Sequence, residues 1–220
     1  MSYELYWGSG SPYSWRVLLA FAVKGIPYES KLLQFSRGDH KAPSFLAMNP
    51  RARVPLLKHG DVVVYESIAI LNYIEKLHPA PPLFGETPAE VAAVWQVVSE
   101  VDCYLSPLQE ELVASVLGEQ TAGREAEVKA VADQVRVEVA SYDRRLAAGP
   151  YLAGQRVTAA DLVLYPALML IGRIGTRPSA LTIGLRLDKL RVENANVDRW
   201  ARSIESLPGY DATYPPHWRA

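Results

Sequence analysis

The fold of this 220-residue chain is decided in residues 5–25, which read LYWGSGSPYSWRVLLAFAVKG. The first three of these residues form a short apolar strand, and a turn rich in glycine and serine follows it. Residues 14–24 then have the length and apolar spacing of a helix, and Gly25 suits the left-handed residue that ends one. A strand that leads through a turn into a helix is the first half of a βα crossover.

The same alternation continues as far as residue 78. It predicts a strand over 28–35, a short helix around 45–48, a hairpin of strands 54–58 and 62–65, and a helix over 67–77. Two βα units followed by a hairpin imply a mixed sheet that is parallel at its start and antiparallel at its end. We therefore predict an α/β domain with a four-stranded sheet over residues 1–78.

A proline-rich segment, residues 79–88, has the composition of a linker. Beyond it, residues 89–220 carry apolar side chains at spacings of three and four, which predicts an all-helical domain. Pro107 is expected to kink the first long helix or to end its regular part. Thr158 and Asp161 have the spacing of a capping box at the start of a later helix. The apolar positions of the first two helices are Val91, Val94, Trp95, Val98, Val101, Leu105 and Leu108, and then Val128, Val131, Val135, Val139, Tyr142 and Leu146.

The overall composition is that of a soluble globular protein, with 49% hydrophobic and 21% charged residues. A net charge of -1 offers no electrostatic reason to expect nucleic acid or an anionic membrane as a partner. We find no apolar run of membrane-spanning length and no secretory signal at residues 1–4, so we expect a cytoplasmic location. The single cysteine, Cys103, and four scattered histidines give no metal-ligand spacing, so we expect no metal.

The turn before the first helix is the first candidate site. Helix N-termini attract anions, because their backbone N–H groups point outward and the helix dipole is positive there. The Ser11 hydroxyl at this position can donate a hydrogen bond to a bound thiolate. The alternative is that Ser11 only caps the helix, as serines commonly do.

Two further segments suit the recognition of a peptide. Pro55 follows Val54 at the start of a strand, where a cis bond can turn the Val54 backbone toward a peptide ligand; an ordinary trans proline is the alternative. Glu66 and Ser67 lie at the start of another helix, where a carboxylate and a hydroxyl suit the ammonium and carboxylate of an amino acid. The alternative there is an ordinary cap with an acid favoured by the helix dipole.

The ordered set SPYSWRV, NPRARVPLL, YESIAILNYI and TAADLVLYP resembles the soluble glutathione transferases, nearest their serine-type theta and zeta classes. This resemblance covers nearly the whole chain. It implies an α/β plus all-α fold, with a thioredoxin-like glutathione-binding domain followed by a helical one. It also implies a homodimer that takes glutathione as co-substrate and conjugates it to small electrophiles.

The resemblance assigns roles to individual residues. Ser11 corresponds to the serine that activates the glutathione thiol, and Val54, before Pro55, to the residue that pairs with the cysteinyl backbone. Glu66 and Ser67 correspond to the pair that holds the γ-glutamyl group. His40 and Arg53 lie near positions that reach the glycyl carboxylate. Tyr13, Trp15, Tyr104 and Tyr165, with Met169, are candidates for an apolar substrate pocket, and core packing is the alternative for each.

Two departures from the family pattern bear on these assignments. The family often has Gly-Lys before the Val-Pro pair, where this chain has Ala52-Arg53. The zeta signature tends to have a cysteine where Tyr13 stands, which counts against a zeta-type isomerase.

A serine at a helix start is energetically sufficient to activate a thiol. Lowering a thiol pKa from about 8.5 to about 6.5 requires about 2.7 kcal/mol. A hydrogen bond to a charged group contributes about 1.5–3 kcal/mol, and a helix N-terminus adds about 0.3–1 kcal/mol. We therefore expect no general base.

Three other functions are alternatives to conjugation for a chain with these residues. A glutathione-dependent isomerase of the maleylacetoacetate type would use the same glutathione contacts. A thiol-disulfide reductase would need a cysteine where Ser11 stands, because a mixed disulfide must form. A non-catalytic ligand-binding protein would use the fold alone.

Overall fold

A computed structural model describes residues 2–219. Four strands form one mixed sheet in the spatial order β2-β1-β3-β4. Strand β1 pairs in parallel with β2 and antiparallel with β3, and β3 pairs antiparallel with β4. This is the sheet predicted from the sequence. The strands are β1 (Tyr3–Trp7), β2 (Tyr28–Leu32), β3 (Leu56–His59) and β4 (Val62–Tyr65).

Eleven α-helices lie within the described residues: α1 (Pro12–Lys24), α2 (Pro43–Leu46), α3 (Ser67–Leu77), α4 (Pro88–Glu100), α5 (Ser106–Leu112), α6 (Glu125–Leu146), α7 (Ala159–Gly175), α8 (Pro178–Thr182), α9 (Leu190–Glu193), α10 (Ala195–Glu205) and α11 (Tyr210–Thr213). None of the helices in residues 2–219 combines the length and the apolar character needed to cross a bilayer.

The described chain forms two compact units. The first contains residues 1–83 and 206–220, and the second contains residues 84–205. The C-terminal stretch 206–220 therefore differs from the sequence prediction, which put it in the helical domain 89–220. Its place in the first unit follows from a buried ring, Trp15 of α1, which is 2% exposed and is covered by aromatic side chains of this stretch.

In the first unit, α1 and α2 contact opposite faces of the central strand β1. Alternate residues of β1 point to opposite faces, as strand geometry requires. Tyr3 packs edge-on against Phe21 of α1, with the ring centroids 5.5 Å apart. On the other face, Tyr6 lies 6.1 Å from the ring of Phe45 in α2. Helix α1 ends as predicted at Gly25, which has φ 62°.

Lys24 ties the start of the predicted linker to the first unit. Its buried ammonium lies 2.7 Å from Glu75 of α3 and donates to the carbonyl of Pro81 at 2.8 Å. Glu75 in turn accepts from the backbone N–H of Leu83 at 3.0 Å. These contacts explain why the first unit extends to Leu83, inside the segment 79–88 that the sequence marks as linker.

The long helix that begins with α4 changes its winding at the predicted place. Residues Val101–Leu105 form a π-helical turn directly before α5, in which Pro107 stands in the first turn. Proline has no N–H to donate, so the regular hydrogen-bond ladder cannot pass through it. A second π-helical turn, Val113–Leu117, follows α5. Cys103 lies in the first of these turns and is exposed.

The predicted apolar stripes mostly face the interior of the second unit. Val94, Val98, Val101 and Leu105 are buried, whereas Val91 and Trp95 are 36% and 38% exposed. The predicted capping box is present at the start of α7. The last long helix of this unit is α10, and its Val197, Trp200, Ala201 and Ile204 are buried.

Candidate active site

The predicted site segments converge at one edge of the sheet. Tyr6 of β1 pairs with Leu56, the first residue of β3, and Leu56 pairs with Tyr65, the last residue of β4. Trp7 pairs with Leu32, the last residue of β2. The C-terminal ends of β1, β2 and β4 and the N-terminal end of β3 therefore lie at the same end of the sheet. The loops at this end carry Ser11, His40, Val54 and Glu66, which are far apart in the sequence.

Ser11 lies between a tight turn and helix α1. Its backbone N–H donates to the carbonyl of Gly8 at 3.2 Å, which closes a turn with Ser9 and Gly10 as its central residues. Gly10 has φ +80°, the value that a type II turn requires at its third position. The Ser11 Oγ accepts from the backbone N–H of Ser14 at 3.2 Å. Ser11 is thus the N-cap of α1, and its partly exposed hydroxyl can still donate its hydrogen.

The two neighbouring serines have other partners. Ser14 is fully buried, and its Oγ accepts from the backbone N–H of Gly8 at 3.3 Å. The Ser9 Oγ lies 2.6 Å from Nδ1 of His217, close to the C-terminus. Of the three serines in this segment, Ser11 therefore combines partial exposure with a place at the helix start.

The Val54–Pro55 peptide bond is cis. Val54 is half-buried and Pro55 is buried, while Arg53 is exposed. Asn49, which is 1% exposed, holds the loop before them: its Nδ2 donates to the carbonyl of Arg53 at 2.8 Å, and its Oδ1 accepts from the backbone N–H of Arg51 at 3.1 Å. Asn49 belongs to the motif quoted above, but its supporting role was not predicted.

Glu66 and Ser67 stand at the start of α3, as predicted. Glu66 is the N-cap residue and has φ +70°, a conformation that costs a non-glycine residue about 1–3 kcal/mol and that concentrates at functional sites. Its exposed carboxylate lies 3.9 Å from Arg51 Nε. Ser67 is only 6% exposed, and its Oγ accepts a long hydrogen bond, 3.4 Å, from Nη1 of Arg16.

Arg16 of α1 also belongs to this region, and its role was not predicted from the sequence. It is 1% exposed, and its guanidinium lies 4.8 Å from the centre of the Tyr13 ring. Its bond to Ser67 connects α1 to the start of α3. The sequence signal was a lone arginine in the otherwise apolar helix SWRVLLAFAV. A buried guanidinium at this point favours negative charge on a ligand beside Ser67.

His40 lies in a 3-10 turn, Asp39–Lys41, after β2. Its ring packs edge-on against Phe35 with the centroids 5.1 Å apart. Within residues 2–219, its buried Nδ1 has no hydrogen-bond partner. The Phe35 ring lies over Gly8, where an added Cβ would be 2.2 Å from Cζ of that ring. The His40 segment therefore packs against the turn that precedes Ser11.

The four aromatic residues proposed for a substrate pocket differ in exposure. Tyr13 is half-buried and Tyr104, in the first π-helical turn, is 61% exposed, so both keep that prediction. Trp15 is buried under the C-terminal stretch. Tyr165 is fully buried against Trp200 and donates to Glu205 at 3.2 Å. We do not retain Trp15 and Tyr165 as pocket residues, because each packs in the interior of its own unit.

The described part of the chain, residues 2–219, contains no group of three or more His, Cys, Asp or Glu side chains placed to hold a metal ion.

Comparison with known proteins agrees with this architecture. Residues 1–76 match the family model of the glutathione S-transferase N-terminal domain, and residues 105–208 match that of the C-terminal domain. A glutathione S-transferase of Silene vulgaris is 31% identical over 213 residues, which cover 90% of each chain. A maleylacetoacetate isomerase of Pseudomonas aeruginosa is 31% identical over 176 residues, covering 78% of this chain and 82% of the relative.

A solved structure shows the same similarity in three dimensions. The crystal structure of a glutathione S-transferase from the Antarctic clam Laternula elliptica superposes with a TM-score of 0.82 at 30% identity, over 100% of this chain and 94% of that one. Family models that match both parts of the chain, and a relative at 31% identity over nine-tenths of both chains, lead to one assignment. The chain belongs to the glutathione S-transferase family.

Proposed function

We propose that this protein conjugates glutathione to small, largely apolar electrophiles, and that Ser11 activates the thiol. The observation that carries the proposal is the geometry of Ser11. Its oxygen accepts from Ser14 N–H at the start of α1, which leaves the hydroxyl hydrogen for a thiolate, whereas Ser14 is fully buried and the Ser9 hydroxyl is bonded to His217. The helix N-terminus favours the same anion.

The chemistry requires a thiolate and an electrophilic carbon. Donation from Ser11 stabilises the charged sulfur, so the thiol proton is released to solvent at neutral pH. With a halide substrate the sulfur lone pair forms a C–S bond and the halide departs with the electrons of the broken bond. With an isothiocyanate the sulfur adds to the central carbon, and the nitrogen takes up a proton from solvent. The assay that tests this function measures turnover with glutathione and haloarenes, alkyl halides or isothiocyanates. Absence of turnover with every one of them would contradict a transferase function.

The other candidate site residues would bind the parts of glutathione, a tripeptide, that lie outside its thiol. We assign Glu66 to its ammonium group and Ser67 to its γ-glutamyl carboxylate, supported by the exposure of Glu66 and by the buried charge of Arg16 behind Ser67. Val54 would pair with the cysteinyl backbone through its own N–H and C=O. His40 and Arg53 would reach the glycyl carboxylate.

We expect the changes Ser67→Ala and Glu66→Ala each to weaken glutathione binding about ten- to a hundredfold, since losing a hydrogen bond to a charged group costs about 1.5–3 kcal/mol. Isothermal titration calorimetry measures this directly. Asp61→Ala alters an exposed acid and Ser203→Ala a half-buried serine, both outside the proposed site, and they serve as controls. Unchanged affinity in both site variants would refute the assignment of this pair.

Isomerisation is the second candidate, because one relative is a maleylacetoacetate isomerase. That reaction would use the same activated thiolate, which adds to the substrate double bond and leaves again after rotation about the resulting single bond. Comparing turnover of maleylacetoacetate with turnover of the conjugation substrates distinguishes the two. A cytoplasmic location stays a prediction from the sequence.

We also propose that the protein is a homodimer. Each unit exposes apolar side chains that a second copy can cover: Val62 and Val63 on the edge strand β4 are 44% and 38% exposed, and Val91 and Trp95 on α4 are 36% and 38% exposed. Exposed apolar residues on an edge strand favour association with another chain. We expect light scattering at micromolar concentration to give twice the chain mass of 24.3 kDa.

The double change of Val62 and Val63 to lysine should shift this protein toward the monomer, because burying two lysines in an interface is costly. Val137→Lys, at a 66% exposed position of α6, is the matched control and should leave the mass unchanged. A monomer at every concentration of the unaltered protein would contradict the homodimer.

A further inference from the structure

The C-terminal turn Pro216–Trp218 lies directly against the turn that precedes Ser11. His217 Nδ1 is 2.6 Å from the Ser9 Oγ. A Cβ added at Gly10 would be 2.8 Å from Cε1 of His217 and 3.3 Å from Nε1 of Trp218. A side chain at position 10 would therefore require the His217 ring to move, and the left-handed φ of +80° independently favours glycine there.

The same C-terminal stretch is anchored on the other side of Ser11. The Trp15 Nε1 donates to the Thr213 Oγ1 at 2.9 Å, in the interior of the first unit. The Trp15 ring meets the rings of Tyr214 and Trp218 edge-on, each at a centroid distance of 5.6 Å. Residues 213–218 thus contact the chain both two residues before Ser11 and four residues after it.

We infer that His217 is a positioning residue for Ser11, an inference that rests on the proposed function. Ser9 and Gly10 are the central residues of the turn whose closing hydrogen bond is made by Ser11 N–H. Holding Ser9 therefore holds the turn that places the Ser11 hydroxyl. Hydrogen-bond strength falls steeply with distance and angle, so a small shift of this turn weakens donation to the sulfur. His217 acts through Ser9 and not on the substrate.

Three variants and one control test the inference. His217→Leu and Ser9→Ala each remove the bond, His217→Asn keeps an amide group near the position of Nδ1, and His59→Leu is the control. His59 pairs with Tyr3 at the opposite edge of the sheet, and its Nδ1 also has a hydrogen-bond partner, Tyr73. His59→Leu therefore removes a histidine and its hydrogen bond from the same unit, and it leaves the contacts of the Ser11 turn unchanged.

We expect His217→Leu and Ser9→Ala to raise the pKa of the bound glutathione thiol and to lower kcat/KM for the electrophile about three- to tenfold, the range for losing one side-chain hydrogen bond. The dissociation constant of glutathione should change less than about twofold, because the charged ends of the tripeptide carry its affinity. His217→Asn should recover most of the loss, and His59→Leu should leave the thiol pKa unchanged.

The double variant Ser9→Ala with His217→Leu should be no worse than either single variant, because both remove the same bond. Fully additive losses, or single variants with an unchanged thiol pKa and unchanged turnover, would overturn the inference. Hydrogen exchange of the peptide 206–219 gives a readout that needs no glutathione, and it should quicken in both single variants. If the unaltered protein binds glutathione but forms no thiolate, the proposed function fails first and the inference fails with it.

Discussion

Replacing Ser11 with alanine is expected to raise the pKa of the bound glutathione thiol by about one to two units, equivalent to about 1.4–2.7 kcal/mol. The hydroxyl donates to the charged sulfur and to no other part of the ligand in the proposed complex. Its loss therefore destabilises the thiolate and leaves most of the glutathione affinity intact. At pH 7 the conjugation rate should fall about three- to twenty-five-fold, because the thiolate is the nucleophile and its fraction falls from about three quarters to between about a quarter and about 3%.

The thiolate absorbance of the glutathione complex, titrated against pH, measures this shift. The sign follows from the charge: the serine stabilises the deprotonated form, so its removal moves the titration to higher pH. Ser11→Ala activity should recover as the pH is raised through the new pKa. A variant that only unfolds the site would lose activity at every pH and would also lose glutathione affinity.

The neighbouring serines are the matched controls. Ser14→Ala should act mainly on stability, because Ser14 is fully buried and accepts from Gly8 N–H. Ser9→Ala should give the smaller effect expected from the loss of its bond to His217. If Ser14→Ala or Ser9→Ala moved the titration and Ser11→Ala did not, Ser11 would not be the activating residue.

The change Asp161→Ala is expected to lower the free energy of unfolding by about 3–5 kcal/mol. The fully buried carboxylate accepts four hydrogen bonds within the second unit: from the backbone N–H groups of Leu152 and Thr158, from the Thr158 Oγ1, and from Nε1 of Trp200, at 2.8–3.1 Å. Alanine leaves these donors buried without an acceptor. Burial raises the pKa of the Asp161 carboxyl, and the four donors oppose that shift.

Thermal unfolding checks this expectation, with a fall in Tm of about 6–20 °C for a chain of this size. Asp133→Ala is the matched control, because Asp133 is an exposed acid of the same unit whose ion pair with Arg136 is worth little. The loss of unfolding free energy in Asp161→Asn should lie between the losses in Asp161→Ala and Asp133→Ala, because the asparagine amide nitrogen would face two of the four donors. A loss below about 1 kcal/mol in Asp161→Ala would show that water or repacking satisfies those donors.

Local patterns in the sequence were sufficient for the order of strands and helices in the first unit and for the capping residues. Gly25 ends α1, and Thr158 with Asp161 starts α7, as their types and spacing predict. The same holds for the candidate site, since Ser11, Glu66 and Ser67 stand at the helix starts where their motifs place them. Such features depend on residues within a few positions of one another, so local sequence patterns are sufficient to predict them.

Only the tertiary structure decided how distant segments meet. Arg16 reaches Ser67 across 51 positions, and His217 reaches Ser9 across 208. The C-terminal stretch joins the first unit and buries Trp15. From the sequence, Trp15 could either line a substrate pocket or pack in the core. No periodicity or cap links residues so far apart, because their contact arises from the packing of α1 and the sheet edge. Short-range chemistry thus determined the elements and the site motifs, and long-range packing decided what surrounds Ser11.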